Sequence, residues 1–84
     1  MDSVTLLGLV AGFLTTVAFI PQVIRIWKTR SAKDVSLPTF VAFSFGVAGW
    51  LAFGILKADP PIIIWNAATL VLAFAILAMK LRFG

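Results

Sequence analysis

The chain has 84 residues, 62% of them hydrophobic and 12% charged, a composition of integral membrane proteins rather than of soluble domains, where about 45–50% and about 25% are usual. It has no Cys and no His, which removes disulfides, thiol nucleophiles, thiolate metal sites and the commonest general base; with Asp2, Asp34 and Asp59 as the only acids, neither an enzyme nor a metal or cofactor is expected. The net charge of +4 reads, in so apolar a chain, as membrane topology, and no nucleic-acid partner is expected.

Three uncharged stretches follow in order: 4–24, 37–56 and 62–79. At 1.5 Å per residue they reach roughly 27–31 Å, about the thickness of a bilayer's hydrocarbon core. Backbone groups in lipid must be satisfied within the segment, so each stretch is predicted to be a helix. The fold class is therefore all-α integral membrane, with residues 1–84 forming a single three-helix domain. The first stretch lacks a basic leader, Asp2 being the only charge before it, and is expected to be retained rather than cleaved.

In the first span, Gly8, Gly12 and Thr15 share one helical face, a small-residue pattern that permits close helix approach. Pro21 cannot donate to the carbonyl of Val17 and crowds that turn, so a kink is predicted, which is either static or a moving hinge. Gln22 follows it, and then come Arg25, Lys28, Arg30 and Lys33. In the second span Gly46, Trp50, Phe53 or Gly54, and Lys57 recur at spacings of three or four and share a face. Trp50 lies beyond the midplane but still within the core, where its indole N–H needs a partner. The third span opens at Asp59-Pro60-Pro61, a cheap helix start. Its one strongly polar residue is Asn66, with Thr69 and Ala73 on the same face; such an Asn either bonds to a neighbouring helix or meets a polar ligand.

Orientation follows from Lys and Arg. Six cations (Arg25, Lys28, Arg30, Lys33, Lys80 and Arg82) fall on one side and only Lys57 on the other, so the N-terminus is expected outside and the C-terminus in the cytoplasm, in a multi-pass protein of the cell's inner (plasma) membrane.

The ordered set of Pro21-Gln22, the basic turn with "KDVS", "GVAGW" in the second span and "IIIWNAATL" in the third resembles the SemiSWEETs, half-size sugar transporters of the PQ-loop group, from about Gly12 to Leu81. The resemblance implies a three-helix bundle that pairs as a parallel homodimer and moves a sugar down its gradient by alternating access, along the two-fold axis. It also implies that Trp50 and Asn66 bind the sugar and that Pro21, with Gln22, forms the hinge that closes the cytoplasmic side; Thr16 is expected as a further pocket wall. The outer gate falls on Phe53, Lys57 and Asp59, where the family often has Tyr and Arg in the first two places; Lys57 can pair with Asp59 but without a guanidinium's bidentate fork. Phe40 and Phe43 are taken as the inner gate. The partners are thus a mono- or disaccharide, a second copy of the chain and the lipid bilayer. Two alternatives stay open: a carrier of another small solute, disfavoured because no charge within a span could meet a carboxylate or ammonium, and a membrane assembly subunit whose glycine faces only pack helices.

Overall fold

The computed structural model describes residues 2–84. Helix α1 spans Ser3–Val17, α2 Ile20–Thr29, α3 Leu37–Lys57 and α4 Pro60–Phe83. Together α1 and α2 form the first span, and three helices are long and apolar enough to cross a bilayer: Ser3–Thr29, Leu37–Lys57 and Pro60–Phe83. Each contains its predicted stretch and runs past it toward the cations, which favour helix C-termini.

Local chemistry fixes the ends. Asp2 caps α1 by accepting from the Thr5 amide at 2.7 Å, and hydrogen bonds from the Thr5 side chain and backbone hold its carboxyl below its ordinary value. Ser36 caps α3 through the Thr39 amide, with Pro38 in the first turn. The turn between α3 and α4 is tight. Ala58 is left-handed (φ 52°), its N–H bonds the Ile55 carbonyl at 3.1 Å, and the N–H of Asp59 bonds the Gly54 carbonyl at 3.0 Å. This closes α3 as a Schellman motif. Asp59 then caps α4, its Oδ1 accepting from the Ile62 amide at 3.4 Å.

The predicted kink is present. Regular helix ends at Val17, the residue whose carbonyl Pro21 cannot serve, and resumes at Ile20. Across the break, the Phe19 N–H reaches back only to Thr16 (3.1 Å), a tightened turn, before the Val23 N–H restores the regular ladder to Phe19 (3.0 Å).

Across the bundle α4 is central: it packs against α3 on one side and against α1 and α2 on the other, while α3 makes no backbone-level contact with either half of the first span. The backbone measures 43 × 21 × 14 Å. The long dimension matches a bilayer with its headgroups, about 40–45 Å. The short one is that of two packed helix layers, since Cα atoms lie on a cylinder about 4.6 Å across and packed helix axes stand about 8–10 Å apart. A bundle of three helices in so small a cross-section encloses no passage by itself. Its buried centre, Ile26, Ala32, Val35 and Ile76 with Phe19 and Phe40 against them, lies at the basic end, where the 31–36 loop folds back and Lys80 Nζ donates to the Ala32 carbonyl at 3.0 Å.

Candidate functional site

Small residues create the first concavity. Pro61 and Trp65, one turn apart on α4, sit over Gly8 and Gly12, and a Cβ added at Gly12 would collide with the Trp65 indole. The predicted small face is thus the α1–α4 seam. Beside it runs a groove of about 230 Å³, lined among others by Thr15, Thr16, Trp65, Asn66 and Thr69. Asn66 is half-buried there. Its Nδ2 donates to the Ile62 carbonyl at 2.9 Å, which fixes the amide plane. One N–H and the Oδ1 are left without a partner among the described residues and can meet a ligand. Thr16, 5% exposed, reaches Thr69 hydroxyl to hydroxyl at 3.0 Å, tying α1 to α4 at the groove floor.

Trp65 was not among the predicted site residues. Its ring meets Phe13 edge-on at 5.8 Å, and its buried Nε1 has no hydrogen-bond partner among the described residues. The signal was available in sequence: Pro61 and Trp65 repeat the spacing of Gly8 and Gly12, and an indole N–H in an apolar span demands a partner.

Trp50 lies elsewhere on the protomer. It is 57% exposed and, with Gly46, Gly49 and Phe53, lines an open concavity of about 340 Å³ along α3. Phe53 meets it edge-on at 5.4 Å. The sequence left Phe53 or Gly54 open for this face. Phe53 occupies it, whereas Gly54 is buried where a Cβ would press on Ile62. Within one protomer, therefore, Trp50 and Asn66 line separate concavities.

At the turn between α3 and α4, the Asp59 carboxylate serves the α4 cap, and Lys57 is exposed. Among the described residues the one ion pair is Arg25–Asp34 at 3.9 Å, so Lys57 and Asp59 do not pair within the protomer. At the basic end Phe40 and Phe43 meet at 5.8 Å, and Phe19 joins them at 6.4 and 5.5 Å respectively. Phe19, which the sequence did not single out, lies in the break two residues before Pro21 and so joins the kink to the aromatic pair on α3. Gln22 lines a small cleft with Arg25, Ile26 and Ala32, away from that triad.

Three apolar helices long enough to span a bilayer, with concavities along them free of ionisable side chains at Trp50 and at Asn66, define the class: a multi-pass membrane protein. Residues 4–63 match the PQ loop repeat family. The chain is 49% identical to the Sugar transporter SemiSWEET of Bradyrhizobium diazoefficiens, over 96% of this chain and 94% of that one. It superimposes on the crystal structure of a bacterial homologue of SWEET transporters with a TM-score of 0.94, at 43% identity over 99% of this chain and all of the other. Against SemiSWEET in the inward-open conformation the TM-score is 0.88, at 40% identity over 98% of this chain and 88% of the other. The chain belongs to the PQ-loop family, in its SemiSWEET group.

Proposed function

We propose that the protein is a uniporter for a small neutral sugar, working by alternating access as a parallel homodimer with the sugar path on its two-fold axis. The observation that carries this is the Asn66 groove: an amide held in place by one bond to Ile62, with a donor and an acceptor left over, in a span without an ionisable side chain nearby. Such a site suits hydroxyls, which donate and accept, and has nothing to neutralise an ionic solute. The names of the SemiSWEET relatives point the same way.

Two features of the single chain support the dimer. Three helices are too few to enclose a sugar-sized path, and the concavities at Trp50 and at Asn66 are open grooves rather than enclosed pockets. A two-fold copy doubles the groove and brings two Trp50 and two Asn66 to one axis. The indoles then cover the apolar face of a sugar ring while the amides bind its hydroxyls. Thr16 acts as the groove floor. Phe53, Lys57 and Asp59 form the outer gate, with the Lys57–Asp59 pair made across the dimer. Phe40 and Phe43 form the inner gate, operated by the hinge at Pro21 and Gln22. Orientation in the cell's inner membrane is N-terminus out, C-terminus in, from the six cations gathered at one end.

The test is uptake of radiolabelled glucose and sucrose into proteoliposomes, comparing the wild type with Trp50→Ala and Asn66→Ala at equal reconstituted amounts. Saturable uptake without an imposed ion gradient, reduced at least tenfold in both variants while they remain dimeric, is the expected result. No sugar flux in the wild type would favour another solute or an assembly role; equal flux in the variants would remove the two site assignments.

A further inference from the structure

At the basic end of the bundle, Arg30 ends α2 in the left-handed region (φ 55°), its N–H held by the Ile26 carbonyl at 2.9 Å. That turn carries the guanidinium back over the Trp27 ring, with Cζ 4.2 Å from its centroid, and toward Phe83 at 5.5 Å. Arg82 approaches the same Phe83 ring at 5.7 Å. Two cations thus converge on one aromatic cluster, although like charges repel. Neither has a carboxylate partner: the one ion pair among the described residues uses Arg25 and Asp34. Neither donates a side-chain hydrogen bond among the described residues, where the nearby Lys80 is engaged with Ala32. Stacking occupies the face of a guanidinium and leaves its N–H edge free, the geometry that takes a phosphate in bidentate fashion.

The surroundings decide the source of the phosphate. Ile20, Ile24 and Trp27 form an exposed apolar stripe one turn apart along α2, and Leu81 is exposed beside Arg82. In a membrane-spanning chain such a stripe meets lipid, and a half-exposed Trp at a helix end lies at headgroup depth. We infer that Arg30 and Arg82, gathered on Phe83 beside Trp27, form a binding site for the headgroup phosphate of an anionic phospholipid. A lipid held there joins the C-terminal ends of α2 and α4 and so restrains the segment beyond the kink at Pro21.

The cluster contains its own reporter. The protein is reconstituted in phosphatidylcholine bilayers in which one lipid in ten is brominated, either phosphatidylglycerol or phosphatidylcholine, and the Trp27 emission is taken as the difference between wild type and Trp27→Phe. Charge alone contributes about a fivefold preference for anionic lipid per cation near a membrane surface, so about thirtyfold for two, and the bidentate fork adds to this; the site is occupied at least about three-quarters of the time at this dilution. The expected result is strong quenching of Trp27 by the brominated anionic lipid and weak quenching by the neutral one. Arg30→Lys with Arg82→Lys keeps the charge but loses the fork and the stacking, and reduces the preference at least threefold; Lys28→Gln, outside the cluster, retains it. The proposal is overturned if the two brominated lipids quench alike, or if the double-lysine variant quenches as the wild type does. It is also overturned if millimolar inorganic phosphate abolishes the excess, which would make the ligand aqueous. No sugar is present, so the outcome is independent of the transport reading.

Discussion

Phe19→Ala removes the ring that joins the kink to α3. In the structure that ring makes two aromatic contacts, with Phe40 at 6.4 Å and with Phe43 at 5.5 Å, and leaves the Phe40–Phe43 pair in place. An aromatic pair is worth about 0.5–1.5 kcal/mol beyond the area it buries. Two lost pairs therefore remove about 1–3 kcal/mol from the state in which these ends are packed together, which on the proposed alternating-access cycle is a shift of roughly five- to 150-fold toward the inward-open state. The chain has no native cysteine, so a single Lys33→Cys in the loop between α2 and α3 accepts one spin label per chain and gives one label-to-label distance in the proposed dimer. The expected outcome is a second, longer distance in Phe19→Ala that grows at the expense of the shorter. Phe45→Ala, whose ring is 76% exposed and outside the triad, leaves the distribution as in the wild type. If Phe19→Ala leaves the distribution unchanged while the protein remains dimeric, the triad does not hold the inner end closed and the coupling of kink to gate fails.

Pro21→Ala restores an amide that can donate to the Val17 carbonyl and removes a ring worth up to about 3 kcal/mol of helix disruption; α1 and α2 then join into a continuous helix, and uptake in proteoliposomes falls several-fold without loss of thermal stability. Gly12→Val drives a branched side chain into the Trp65 indole and costs about 1–3 kcal/mol, read as a lower unfolding midpoint in detergent, whereas Gly49→Val, with open space beyond its Cα, leaves the midpoint unchanged. Asp59→Asn keeps a good cap for α4 and so preserves stability, but removes the charge proposed to meet Lys57 across the dimer; the outward-open population rises, and unchanged open and closed populations would exclude Asp59 from the outer gate.

Much of the architecture was readable because lipid leaves the chain few choices. Backbone groups without water must form helices, so the apolar lengths alone give the three spans, and a proline without a donor places the break at Val17. The small-residue face of Gly8 and Gly12 was legible for the same reason, since only a missing side chain lets another helix come so near. The ordered motifs were enough to identify the family. Tertiary structure decided what depends on which faces meet. It placed α4 between the other spans, put Phe53 rather than Gly54 beside Trp50, turned the Asp59 carboxylate onto its own helix, and brought Phe19 to Phe40 and Phe43. It also placed Trp50 and Asn66 in different concavities of one protomer. Periodicity along a helix specifies which residues share a face, but the rotation of that face toward one neighbour or another is set by the packing of all the helices together, and no single segment carries it.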